Sequence, residues 1–304
     1  MALPIIWHAA YEVDIGAHVF PTRKYRLVRD RLIAAGTIAS ADVVEPAPAS
    51  DDQVALVHTA EYVAKINAGK LSESERLTLE VPFTRALRHA SWICAGGAVL
   101  AGRLALDRNI AAHLGGGFHH AFPDHGEGFC LINDVAIAIR VLQHEGVVRR
   151  AAVVDLDVHH GNGTAAIFRD DPDVFTFSMH QERNYPAWKP PSGLDIGLED
   201  GTGDAAYLAL LERHLPEILA RHRPELVFYL AGADPYRFDQ LGGLGLTREG
   251  LRRRDELVFA RSREAGAAVA VCLAGGYAVN PEDTVEIHCN TVRAAREAGG
   301  DRSP

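Results

Sequence analysis

Short apolar runs and longer amphipathic stretches alternate along almost the whole chain. The apolar runs lie at 3–7, 109–114, 151–154, 174–178, 226–231 and 267–273. Brief runs rich in Val, Ile, Leu and Ala and bounded by glycine or polar residues predict buried strands. Between them, apolar residues recur at helical spacing near 23–35, 60–68, 84–106, 133–145, 205–221, 248–265 and 282–298. That spacing predicts helices with one face turned to a core. Asn133 or Asp134 fits the N-cap of the helix that follows. The segments 115–130 and 180–191 read as long loops. Strands alternating with helices predict an α/β fold, a mainly parallel sheet covered by helices on both faces. No repeat or linker divides the chain, so 1–304 reads as one domain, with a disordered tail expected at 299–304.

The polar residues that follow these strands carry the chemistry. The strand at 151–154 runs into Asp155-Leu156-Asp157-Val158-His159-His160-Gly161-Asn162-Gly163. If the chain stays extended there, Asp155, Asp157 and His159 share one face. The strand at 109–114 runs into Gly115-Gly116-Gly117-Phe118-His119-His120-Ala121, and the strand at 226–231 into Gly232-Ala233-Asp234. The strand at 267–273 ends on Ala274-Gly275-Gly276-Tyr277. Ligands of open α/β sheets bind outside the carboxyl ends of the strands. Two aspartates and a histidine match a catalytic metal site, which needs about three N/O ligands and an open fourth position.

Composition narrows the setting. A net charge of −9 without a dominant basic patch argues against nucleic acid as a partner. The run Arg252-Arg253-Arg254, among Glu249, Asp255 and Glu256, reads as a solvated helix face. The four cysteines, Cys94, Cys130, Cys272 and Cys289, form neither a C-x-x-C pair nor a disulfide framework. Together with the lack of a signal sequence or a membrane-spanning run, this leads us to expect a cytoplasmic protein with no membrane partner.

GGGFHHA, GEGFCLINDVAIA, VVDLDVHHGNG, AGAD and AGGY, in this order, resemble the histone deacetylase superfamily, which includes acetoin-utilisation proteins and acetylpolyamine amidohydrolases. The resemblance spans about 4–293 and implies the arginase/deacetylase fold, a three-layer α/β/α sandwich. It maps Zn²⁺ onto Asp157, His159 and Asp234, a hard donor set that also accepts Fe²⁺ or Co²⁺. It assigns proton transfer to His119 and His120, with Asp155 orienting His119. Tyr277 becomes the donor to the developing oxyanion. Gly128 and Phe129 match one wall of an acyl-lysine tunnel, and Tyr185 is our candidate for the opposite wall. The family also binds K⁺, here expected at Asp155, Asp157, His159, Ser178 and Met179. A second ion is expected near Phe168, Asp171, Val174 and Tyr207.

One residue departs from the commoner pattern. Asn162 stands where many members carry an Asp as partner of His120. An amide oxygen still accepts the imidazole N–H, but it brings no charge. The Asn, Arg183-Asn184-Tyr185-Pro186 and Asp239-Gln240-Leu241-Gly242-Gly243-Leu244 resemble the class IV branch, whereas GEGFCLIND follows the general pattern. The implied activity is metal-dependent hydrolysis of an N-acyl-lysine amide, acetyl or longer, on a protein or peptide. A small-molecule amidohydrolase acting on acylated amines is the first alternative, and an inactive acyl-lysine-binding protein the second. Residues alone leave the oligomeric state open.

Overall fold

The computed structural model describes residues 2–299. Eight strands form one all-parallel sheet: β1 (Ile5–Ile6), β2 (Val43–Val44), β3 (Ile110–His113), β4 (Ala151–Asp155), β5 (Val174–Gln181), β6 (Leu194–Leu198), β7 (Leu226–Leu230) and β8 (Ala268–Cys272), in the order β2-β1-β3-β8-β7-β4-β5-β6. Ten helices accompany them among the described residues: α1 (Lys24–Ala34), α2 (Asp51–Val54), α3 (Ala60–Ala68), α4 (Glu73–Leu79), α5 (Arg85–Arg108), α6 (Asp134–His144), α7 (Asn162–Phe168), α8 (Asp204–His222), α9 (Arg248–Glu264) and α10 (Pro281–Gly299). On one side α5 runs across β1, β3, β8 and β7 and packs on α6. On the other, α8, α9, α10 and α1 lie side by side, with α9 and α10 against β8 and β3. The expected three-layer α/β/α sandwich is therefore the observed one. Of the tail expected at 299–304, Gly299 ends α10 and the rest lies outside the described residues.

Local chemistry explains the helix starts. Thr59, Thr84, Asn133 and Thr247 each accept, through the side chain, the amide three residues ahead. Such caps satisfy donors that a helix start leaves unpaired. Strands β3, β4, β7 and β8 have every residue buried, as expected for a sheet covered on both faces. No described helix is long and apolar enough to cross a membrane.

Sheet order places the site. The four strands whose ends carry the polar clusters are contiguous, β3-β8-β7-β4. His113 is in register with Cys272, and Leu230 with both Cys272 and Asp155. Four loops far apart in sequence thus leave the same sheet edge side by side.

Three local expectations need correction. The chain does not stay extended past β4; it bends after Leu156, and α7 begins at Asn162. His180 and Gln181 belong to β5, not to the loop that follows. Finally, Arg254 is not solvated; it and Asp255 are fully buried.

Arg254 Nη1 donates to the carbonyls of Leu156 (3.2 Å) and Gly232 (2.7 Å), and Nε to Asp255 (2.9 Å). It ties together the loops after β4 and β7. Arg254→Met should lower stability by about 3–5 kcal/mol, because Asp255 is left as an uncompensated buried charge. Arg253→Met, on the exposed side, should change it by less than about 0.5 kcal/mol. Urea unfolding of the two variants checks this; equal midpoints would contradict it.

Candidate metal centre and histidine pair

Asp157, His159 and Asp234 come together with their ligand atoms within 4.8 Å of one another, all buried. His159 Nδ1 is 3.0 Å from Asp157 Oδ1 and 3.4 Å from Asp234 Oδ2. Backbone amides hold the carboxylates: Gly275 N donates to Asp157 Oδ2 (2.8 Å) and Val158 N to Asp234 Oδ1 (3.0 Å). Glycine is required at 275, since a Cβ there would lie 2.0 Å from Asp234 Oδ2.

These residues fit a divalent cation. Asp234 Oδ2 is buried without a hydrogen-bond partner. A buried acceptor with no donor is strongly disfavoured unless a cation meets it. Burial, then the like charge of Asp157, pushes the Asp234 carboxyl up to about 7. Burial works against a proton on His159, yet the two carboxylates hold that ring up at about 10. Two carboxylates and one imidazole thus form a site in need of positive charge.

The histidine pair lies beside it. His119 Nδ1 donates to Asp155 Oδ2 at 2.7 Å, and His120 Nδ1 is 2.8 Å from Asn162 Oδ1. The two Nε2 atoms are 3.1 Å apart, a distance that one shared proton satisfies. Burial lowers His119, but Asp155 and Asp157 outweigh it and raise the ring to about 9. Burial, with His119 and His159 as neighbours, pushes His120 well below its ordinary value. Of the two rings, His119 is the one whose surroundings favour a proton.

Tyr277 lies across the site, its ring centroid 6.4 Å from that of His159. Burial, then the charges of Asp157 and Asp234, raises its phenol well above the ordinary value, so it stays a donor. Asp239 Oδ2 accepts the Tyr277 amide at 2.6 Å. Phe129 and Tyr185 line one cavity of about 160 Å³ with Glu80, His120, Gly128, His159, Asn184, Leu241 and Tyr277. Gly128 has φ +50°, and a Cβ there would come within 2.8 Å of both His120 and Tyr185. Asp124 and His125 pair with each other at 2.7 Å and do not line this cavity. Ser178 is in register with Asp155, its Oγ 3.0 Å from His180 Nδ1, and Met179 is buried beside it. At the other expected cation position, Asp171 N donates to Phe168 O (3.1 Å) and Val174 N to Asp171 O (3.4 Å).

Three residues of this site escape a reading of the sequence. Lys24 is buried, donates to Ala274 O at 2.6 Å, and lies 5.7 Å from the centroid of the Tyr277 ring. Burial lowers its ammonium to about 8, against the pull of Asp234, Asp157 and Asp239. Its position inside an ordinary amphipathic pattern offers no signal. Asp134 accepts the amides of Gly117 (3.1 Å) and Phe118 (2.8 Å), which fixes the loop before the histidines. Glu127 contacts Asn162 and Tyr185. It stands within the GEGFC motif, where the family resemblance gives a role only to its neighbours.

A sequence model of the histone deacetylase domain matches residues 18–292. An uncharacterised protein of Picosynechococcus sp. is 42% identical over 98% of this chain and 99% of its own length. Histone deacetylase 2 of Arabidopsis thaliana is 30% identical over 90% of this chain and 74% of its own. The crystal structure of a histone deacetylase homologue from Aquifex aeolicus has the same fold, with a TM-score of 0.81 at 24% identity over 100% of this chain and 86% of that one. The chain belongs to the histone deacetylase family and is an enzyme of that family of hydrolytic deacetylases and amidohydrolases.

Proposed function

We propose that the protein is a metal-dependent deacylase that hydrolyses the amide of N-acyl-lysine. The observation that carries this reading is the unpartnered, buried Asp234 Oδ2, beside His159 and next to a cavity lined by His120 and Tyr277. Asp157, His159 and Asp234 would hold Zn²⁺, or Fe²⁺ or Co²⁺, and the bound ion supplies Lewis acidity toward water and an acyl carbonyl.

The remaining chemistry falls to side chains of this chain. The His119/His120 pair takes the proton of the attacking water at Nε2, and a histidine of the pair then protonates the leaving amine. Asp155 and Asn162 fix the outer nitrogens and hence the direction of both rings. Tyr277 donates its phenolic hydrogen to the acyl oxygen as negative charge grows there.

Substrate class follows from the cavity. The slot between Phe129 and Tyr185 suits a linear aliphatic stem, whose burial is worth about 0.8 kcal/mol per methylene. At the foot, the enclosed space beside Phe118, Gly117 and Tyr277 is small and opens directly onto Asp157 and His159. Little enclosed space there favours a short acyl group such as acetyl over a long chain. Glu80 on the rim favours a second reading, a small acylated amine that carries another positive charge. K⁺ at Asp155, Asp157, His159, Ser178 and Met179, and near Phe168, is part of the proposal as a structural ion. Four buried, unpaired cysteines support a reducing, cytoplasmic setting. Hydrolysis of acyl-lysine peptides with and without chelator tests the reading.

A further inference from the structure

An asparagine beside a catalytic histidine poses a problem that an aspartate does not. Its amide has a donor end and an acceptor end, and only one orientation suits the ring. Asn162 touches His120 Nδ1 through Oδ1 (2.8 Å), and on its other end Nδ2 meets Glu127 Oε1 at 2.7 Å. A carboxylate can only accept. Glu127 therefore claims Nδ2 and turns Oδ1 toward His120. Once Oδ1 accepts, His120 must carry its hydrogen on Nδ1. In the neutral ring Nε2 is then left bare, 3.1 Å from His119 Nε2.

Glu127 is itself held in place. Tyr185 Oη donates to the same Oε1 at 3.1 Å, and His125 Nε2 lies 3.6 Å from Oε2. Its backbone pairs with Cys130 in both directions, at 3.1 and 2.9 Å. Burial raises its carboxyl, but the neighbouring His125 and hydrogen bonds from Asn162 and Tyr185 outweigh this and hold it below the usual range. It is thus an ionised acceptor at neutral pH.

We propose that Glu127 is a positioning residue for the hydrolysis: it locks the Asn162 amide and so fixes the tautomer of His120. The inference rests on the deacylase reading above. It also changes what Asn162→Asp should do. That variant, taken by itself, should shift the pH–rate profile to higher pH by raising His120; here it places two carboxylates 2.7 Å apart.

The test uses the full chain loaded with Zn²⁺ and an acetyl-lysine peptide. Glu127→Ala should lower kcat about tenfold or more, the scale of one charge-assisted hydrogen bond, with KM changed less than about threefold. Glu127→Gln, whose amide oxygen still accepts from Nδ2, should recover most of that loss. Asn162→Asp should lose more than about tenfold, and Asn162→Asp with Glu127→Gln should regain about tenfold over it, because the glutamine amide can donate to the new carboxylate. The lock is refuted if Glu127→Ala leaves kcat unchanged, if Glu127→Gln is as poor as Glu127→Ala, or if the double variant is no better than Asn162→Asp. Imidazole ¹⁵N NMR provides a readout without turnover. His120 should carry its hydrogen on Nδ1 in the unsubstituted protein and in Glu127→Gln, and lose that single state in Glu127→Ala. A hydrogen on Nε2 alone in the unsubstituted protein would overturn the lock. Absence of any turnover with this NMR pattern intact would instead count against the deacylase reading.

Discussion

Asp234→Asn should reduce hydrolysis by about 10³-fold or more and leave the protein with less than one bound metal ion per chain. The expected size follows from losing several kcal/mol of Lewis-acid stabilisation, at 1.36 kcal/mol per decade. Asp234 is chosen because its Oδ2 makes no hydrogen bond, with His159 Nδ1 3.4 Å away, whereas both oxygens of Asp157 are met by amides. An amide nitrogen or a neutral oxygen in that position removes a charge the ion needs. In chelator the outcome should differ. There the substitution removes one of two facing buried carboxylates, so the unfolding midpoint should not fall. With Zn²⁺ present, the unsubstituted protein should gain stability by ligand linkage and the variant should not. Metal content by elemental analysis and thermal melts in both conditions check this. Full metal occupancy in Asp234→Asn would contradict the assignment.

Tyr277→Phe should lower kcat by about 10²–10³-fold, the loss seen when one oxyanion donor is removed. Metal content should stay at one ion per chain, because Tyr277 is not among the three clustered ligands. KM should change much less than kcat, since the donated hydrogen bond strengthens only as charge develops on the acyl oxygen. The ring is packed against Phe20, Phe129 and His159, contacts that phenylalanine keeps, so the fold should survive. A variant with undiminished kcat would remove Tyr277 from the chemistry.

Much of this site is legible in the amino-acid sequence. Asp157, His159, Asp234, His119, His120 and Tyr277 each follow a strand, and a parallel sheet brings strand ends to one edge. Residues that act through long-range packing are not legible in the same way. Glu127 matters because the loop after β3 folds back on the start of α7, a contact no local pattern encodes. Arg254 shares a run with two arginines that do reach the surface side; only the α9 face turned to the sheet makes it an internal tie. Lys24 reaches the back of the Tyr277 loop from α1, 250 residues away in sequence. Some elements that the apolar pattern passes over do leave a trace. Ser50 with Gln53, and Ser72 with Glu75, are capping boxes that announce α2 and α4. β6 is a half-exposed edge strand, alternating around Asp195, with too few apolar residues to stand out.

The most direct test of the central claim is hydrolysis by the purified, Zn²⁺-loaded protein of one lysine peptide carrying acetyl, octanoyl or myristoyl, with an acetylated polyamine alongside and each run repeated in chelator. We expect chelator-sensitive cleavage of the acetyl peptide, at least about tenfold faster than the octanoyl one, because longer chains must force open the foot of the cavity. Preference for the polyamine would shift the substrate to the small-amine reading while keeping the chemistry. No cleavage of any substrate with metal bound, or cleavage that chelator leaves untouched, would contradict a metal-dependent deacylase.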